Sequence, residues 1–268
     1  MKQYIVDAFT DKIFSGNQAA VCVMDSWLND KLMINIAREN NFSETAFIVK
    51  DSMHYKLRWF TPNSEVDLCG HATLASAFIL MNFYDDSNTV IFDTISGPLA
   101  VKREKDLYAM NFPSYKLNPV PVTSEIISAL GGVTPECAFM GRDLLCVLKD
   151  SESVINCNPD LEKIKSLDGL LVHVTAQGSN NIDCISRSFG PKLAINEDPV
   201  CGSGHCHIAP YWINKLNKKQ ITAYQASERG GYLYCELEKD RVIISGQAVL
   251  FSEGEIFYDN IINLTNKA

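Results

Sequence analysis

The sequence predicts an α+β protein of two pseudo-symmetric, β-rich, barrel-like halves, each wrapped round a central helix. Three observations carry this expectation. The stretch from Arg58 to Gly70 is written twice: Arg58, Phe60 and Pro62 stand at alternate positions, followed by Glu65, three residues and Cys69-Gly70. Arg187, Phe189, Pro191, Glu197 and Cys201-Gly202 repeat that order. A second match aligns residues 97–106 with 231–240 without a gap, from a glycine to a closing Lys-Asp. After each Cys-Gly comes a helical run, residues 72–83 and 203–216, set among short alternating segments. Two copies are too few for a solenoid and point instead to a duplicated half-protein, with a site where the copies meet.

Each element has a local reason. Residues 3–9 alternate as a strand, 11–17 form a polar turn ending in Gly16-Asn17, and 19–24 make a second strand round Val-Cys-Val. Asn29 or Asp30 can cap a helix reaching about Glu39, with Leu32 and Ile36 on one side and Asn40-Asn41 as the stop. Glu44 opens an apolar strand, and spacing alone leaves open whether it is solvated or functional. Residues 55–60 alternate again. Residues 72–83 contain few β-branched side chains and read as a buried helix with Cys69, Gly70 and His71 at its start. Free N–H groups and the positive dipole end there attract a carboxylate. Short strands follow at 89–93, 99–103 and 107–112, with turns at Ser96-Gly97-Pro98 and Lys105-Asp106.

Pro113, Pro119 and Pro121 mark a linker. The first half is therefore expected to span 1–117, joined by the C-terminal stretch 247–268, and the second half 118–246. In the second half, residues 141–148 match the strand that begins near Gly16, 160–166 match the first helix and 170–175 the strand after it. Pro210 is expected to make the start of the 203–216 helix irregular or kinked.

Composition narrows the function. With 46% hydrophobic and 21% charged residues over 268 positions, the chain has the make-up of an ordinary globular protein. A formal charge of -8 with scattered Lys and Arg argues against a nucleic-acid partner. The start has no apolar signal core, and no run approaches the ~18 apolar residues that span a bilayer, so a cytoplasmic protein with no membrane partner is expected. Nine cysteines, an odd number without a Cys-x-x-Cys pair, suggest reduced and mostly buried thiols. A Walker loop, a dinucleotide fingerprint and a serine elbow are all missing. What remains is proton transfer on a small anionic substrate, with Glu44, Cys69, His71, Asp198, Cys201 and Ser203 as candidate groups. Gly70 and Gly202 allow close backbone approach and leave N–H groups for a carboxylate.

Asp7-Ala8-Phe9-Thr10 with Gly16-Asn17, Ser43-Glu44-Thr45-Ala46-Phe47, Phe60-Thr61-Pro62 with Cys69-Gly70-His71-Ala72-Thr73, and Glu197-Asp198-Pro199 with Gly202-Ser203 resemble the PhzF-like isomerases of phenazine biosynthesis. The similarity covers essentially the whole chain. It implies a diaminopimelate epimerase-like fold, no cofactor and commonly a homodimer; that no metal is expected comes separately, from a Cys and His spacing that matches no common zinc module. It also implies that Glu44 moves the proton while His71, Asp198 and Ser203 hold the substrate and assist. Asn17, Cys69, Gly70, Cys201 and Gly202 join the implied substrate-binding set. One departure stands out: the family usually has threonine after Asp198-Pro199-Val200, and this chain has Cys201. Cys-Gly in both halves resembles amino-acid racemases and epimerases that use two thiols, so Cys69 and Cys201 define a second reading. Two others are a metal site of Cys201, His205, Cys206 and His207 with Cys69 and His71, and a non-catalytic small-molecule binding protein.

Overall fold

The structure is a computed structural model that describes residues 1–258; residues 259–268, the end of the stretch expected to join the first half, lie outside the described residues. Along the chain come β1 (Lys2–Ala8), β2 (Asn17–Met24), α1 (Asp30–Asn40), β3 (Thr45–Asp51), β4 (His54–Phe60), β5 (Glu65–Val66), α2 (Gly70–Phe83), β6 (Thr89–Thr94), β7 (Gly97–Glu104), β8 (Leu107–Pro113) and β9 (Asn118–Val120). They are followed by α3 (Ser124–Ala129), β10 (Cys137–Met140), β11 (Leu144–Val147), α4 (Ser151–Ile155), α5 (Leu161–Ile164), β12 (Val172–Gln177), β13 (Cys184–Gly190), β14 (Ile195–Asp198), α6 (Gly202–Leu216), β15 (Gln220–Gln225), β16 (Gly231–Glu238), β17 (Arg241–Gly246) and β18 (Ala248–Glu255).

Both halves use one pairing scheme. Neighbours run β1, β2, β3, β4, β6, β7, β8 in the first, with β2–β3 and β4–β6 parallel and the rest antiparallel. They run β10, β11, β12, β13, β15, β16, β17 in the second, with β11–β12 and β13–β15 parallel. Parallel neighbours need a crossover, and α1 and α2 supply it in one half, α4, α5 and α6 in the other. The sheets join through antiparallel β8–β17. β18, in the stretch expected to join the first half, pairs with β1, and β9 pairs in the same way with β10. The largest core cluster runs without a break through both central helices.

The repeated sequence has a structural meaning. Thr45 faces Phe60 and Val172 faces Phe189, so Arg58 corresponds to Arg187 and Glu44 to Leu171. Arg58 Nε and Nη2 donate to the Glu65 carboxylate at 2.7 and 2.6 Å, and Arg187 makes the same fork to Glu197 at 2.7 and 2.8 Å. The guanidinium carbons lie 5.0 and 5.1 Å from the Phe60 and Phe189 ring centroids. The repeat is a clasp. It ties β5 to β4 and β14 to β13, which delivers each Cys-Gly to a helix start. Arg187 Nη1 also donates to Ile155 O at 3.1 Å, at the end of α4. Arg187→Met should therefore cost about 2 kcal/mol, the scale of hydrogen bonds to charged groups, measured as a fall in the urea midpoint with unchanged slope.

The helices form largely as their sequences require. The Asn29 side chain accepts from Leu32 N–H, and α1 stops at Asn41 with φ 54°. Helix α2 buries ten of its fourteen residues, so it carries no polar face; the Thr73 and Ser76 hydroxyls are satisfied by donating to Cys69 O and Ala72 O. Two expectations need correction. The helix expected at 160–166 is the short α5, with α4 before it, because four or five residues show no readable period. Helix α6 is continuous through Pro210 rather than irregular at its start: the Cys206 carbonyl that Pro210 cannot bond accepts Tyr115 N–H at 3.1 Å. The two helix starts meet below the expected site, since a Cβ placed on Gly70 would lie 3.7 Å from Gly202 Cα and the reverse distance is also 3.7 Å. Among the described residues, no helix is long and apolar enough to cross a membrane.

Candidate active site

The turn between β1 and β2 sets one wall. Gly16 has φ +68°, and a Cβ there would lie 2.2 Å from Ala8 O, so only glycine fits. Asn17 follows at once and starts β2. Glu44 stands just before the parallel neighbour β3, and the register Ala20 to Thr45 keeps these two strand starts together. Helix α2 then brings Cys69, Gly70 and His71 against them.

Contacts link the two halves at this point. His71 Nε2 lies 3.3 Å from Glu44 Oε2. The Asn17 amide nitrogen donates to Asp198 Oδ1 at 2.8 Å and Val200 O at 3.0 Å, and lies 3.2 Å from His71 Nδ1. Two oxygen acceptors fix which way the amide points, with its nitrogen beside His71 Nδ1 and the other ring nitrogen toward Glu44. Asp198 thus orients His71 through Asn17. Glu44 is 9% exposed, and Oε2 is buried without a well-aligned hydrogen bond. Burial raises its pKa, opposed by His71 and reinforced by Asp198. A carboxyl raised in this way holds a proton more readily than an exposed one, which suits a group that must both take and give it.

A cavity of about 450 Å³ opens above the meeting helix ends. Glu44, His71, Asp198 and Ser203 line it, as do Cys69, Gly70 and Gly202. Asn17 and Cys201 do not. They are 1% and 2% exposed and sit in the packing round the site. The first N–H groups of α2 and α6 lack intrahelical partners, so two positive helix ends reach the cavity floor. Val66, Leu68, Phe112, Leu170, Leu193 and Ile195 add apolar surface. A larger groove of about 750 Å³ on the outer side of β7, β8, β16 and β17 holds dispersed charges and no comparable convergence.

Burial pushes the Cys69 and Cys201 thiols well above their ordinary pKa, with Glu44 and Asp198 as the next contributors respectively. Cys201 Sγ accepts from Gly204 N–H at 3.3 Å and so caps α6. The crowd of metal-type residues in sequence does not become a cluster. Helical rotation separates it: His205 Nδ1 contacts Cys201 O at 2.8 Å, Cys206 Sγ donates to Gly202 O, and His207 joins Asp143 and His173. Burial lowers the His205 pKa to about 4. Two other donor triples converge, Glu44 with Cys69 and His71, and Asp143 with His173 and His207. In the second, Asp143 already accepts from Arg142 and from Leu171 N–H and contacts His173 Nε2 at 3.1 Å, and a guanidinium beside it repels a cation.

Arg142 was not among the residues singled out from sequence. It lines the cavity and donates from Nη2 to Ser203 Oγ at 3.0 Å. Gly141-Arg142 reads in sequence only as the start of a strand. Nothing local links it to Ser203, sixty-one positions on.

Comparison with known proteins follows the same lines. A family model described as phenazine biosynthesis-like protein (PhzC-PhzF) matches residues 6–254. A protein of Pseudomonas aeruginosa named as an uncharacterized isomerase is 46% identical over 94% of this chain and 96% of its own. The crystal structure of a PhzF-family phenazine biosynthesis protein from Enterococcus faecalis superposes with a TM-score of 0.93 at 51% identity, covering 96% of this chain and 98% of that one. A probable proline racemase from Agrobacterium radiobacter shares the fold alone, with a TM-score of 0.64 at 8% identity over 99% of this chain and 95% of its own. With its family match, its relatives and its duplicated epimerase-like fold in agreement, the chain belongs to the phenazine biosynthesis-like, PhzC-PhzF family.

Proposed function

We propose that this isomerase moves a proton within a small carboxylic acid, with Glu44 as the acid and base. Isomerase is the activity class in the names of its relatives at 46% identity. The observation that carries the proton-transfer reading is Glu44 Oε2: buried, without a well-aligned hydrogen bond, 3.3 Å from His71 Nε2 and on the wall of a cavity floored by two helix starts. As carboxylate, Glu44 takes a proton from a substrate carbon. The electron pair of the broken C–H bond shifts along the adjacent conjugated system toward the substrate carboxylate. First-turn N–H groups of α2 and α6 stabilise the charge that gathers there. Glu44, whose acidic proton exchanges with solvent between the two transfers, then delivers a proton to another carbon of the same system, so atoms and electrons balance without an external reagent. His71 holds Glu44 and the substrate in register, and Asp198 pairs with a substrate ammonium where one is present.

The two-thiol reading has less support. Both thiols are held protonated by burial beside carboxylates, and Cys201 caps a helix outside the cavity wall. Threonine is a good N-cap, so Cys201→Thr should keep kcat within about threefold of wild type, measured by steady-state turnover. Incubating the enzyme with small unsaturated carboxylic acids in D2O and locating the deuterium by NMR tests the reaction class. Deuterium on a carbon further along the conjugated system supports isomerisation. Exchange confined to Cα with inversion supports racemisation, and no turnover with retained binding supports a binding protein.

A further inference from the structure

We propose that Arg142 is a substrate-anchoring residue that binds an anionic group of the substrate beside Ser203 and thereby selects carboxylates over neutral analogues. This rests on the same cavity as the isomerase reading and adds a residue to it. Among the described residues, Arg142 is the only lysine or arginine in that cavity's wall. Its guanidinium is fixed from three sides. Nε donates to Asp143 Oδ1 at 3.1 Å and Nη2 to Asp143 Oδ2 at 2.6 Å, Nη2 also reaches Ser203 Oγ at 3.0 Å, and the Tyr115 ring lies 5.3 Å away. Ser203 and Tyr115 both line the cavity, so the guanidinium lies between two of its walls. Nη1 has no hydrogen-bond partner among the described residues, leaving two N–H groups for a ligand.

The support behind Arg142 is unusually complete. Asp143 is fully buried, contacts His173 Nε2 at 3.1 Å and accepts Leu171 N–H at 3.3 Å. His173 is held in turn by Ser188 Oγ at 2.9 Å, and Tyr115 stacks on His207 at 4.4 Å. A long flexible side chain ordinarily loses rotamer freedom when it grips a ligand. Here that loss is already incurred, which is how preorganisation raises affinity. The position also has no internal counterpart: the strand register sets Arg142 against Gln18 of the first half, so this cation belongs to one side of the cavity only.

Benzoate and its neutral amide, benzamide, are suitable probes because the cavity combines this cation with an apolar wall. Titration of the purified wild-type protein by NMR should show benzoate binding at least tenfold tighter than benzamide. Arg142→Gln should weaken benzoate at least tenfold and leave benzamide within twofold, with Arg142→Lys between the two, because lysine keeps the charge but not the fork. A measurement without substitution guards against misfolding: benzoate, and not benzamide, should shift the Arg142 side-chain nitrogen resonances of the wild-type protein. Equal binding of the two probes, no benzoate binding to wild type, unchanged benzoate affinity in Arg142→Gln, or an unshifted Arg142 signal at saturation each overturns the proposal. Benzoate binding involves no proton transfer. It can therefore fail while Glu44-dependent exchange holds, and the reverse.

Discussion

Glu44→Gln should lower kcat by at least about 10³-fold, within the range general acid–base catalysis contributes, while ligand affinity changes less than about threefold. Gln keeps the shape and polarity of the side chain and removes only the ability to carry a proton between carbons. The same variant should be more stable than wild type above neutral pH. Burial raises the folded pKa of Glu44. The folded state therefore holds more protons than the unfolded state between about 4.3 and the raised value, and stability falls as pH rises through that window. The excess Tm of Glu44→Gln should grow from pH 5 to pH 8, as measured by calorimetry. A gain in stability with a loss of turnover is what a carboxyl kept for chemistry produces.

Asp143→Ala should be the most destabilising single change in the second half, at about 3–5 kcal/mol. It removes the buried anion that accepts from Arg142 and contacts His173, and leaves the guanidinium partly buried without its partner. For a chain of this size the melting temperature should fall by roughly 10 °C. The pH sense is opposite to that of Glu44. His173 and Arg142 overcome the effect of burial and hold the Asp143 carboxyl well below its ordinary value. A depressed folded pKa gives stability that is present above the unfolded value, about 3.9, and is lost as pH falls below it. Asp143→Ala should therefore lose most of its deficit relative to wild type in strong acid, seen in denaturant midpoints measured from pH 7 downward.

What could be read from the sequence follows from where the physics is local. The duplication was visible because the Arg58 and Arg187 clasps need the same residue types at nearly the same spacing, and because Lys105 and Lys239 occupy the same positive-φ position, 60° and 58°, in their two-residue turns. Helix starts at Cys69-Gly70 and Cys201-Gly202 were legible for the same reason. Glu44 was not distinguishable from a solvated strand-start residue by pattern. Its burial comes from α2 closing over β3, and family resemblance was what singled it out. That Asp198 orients His71 could be expected, but not the route, since it passes through Asn17 from a third segment. Arg142 was missed because Asp143, Ser203 and Tyr115 reach it from separate elements. The unbroken α6 also depends on a distant donor, Tyr115 N–H, which no reading of the helix itself could supply.

Retention of solvent deuterium compares the candidate groups most directly. Wild type, Glu44→Gln and the Cys69→Ser/Cys201→Ser double variant would be incubated in D2O with the acid that the wild-type enzyme isomerises, and the label located by NMR. With Glu44 as the proton carrier, wild type and the double-serine variant place deuterium on the product carbon, and Glu44→Gln places none. Deuterium incorporated by Glu44→Gln at the wild-type rate, with none from the double-serine variant, would contradict it and assign the proton transfer to the thiols.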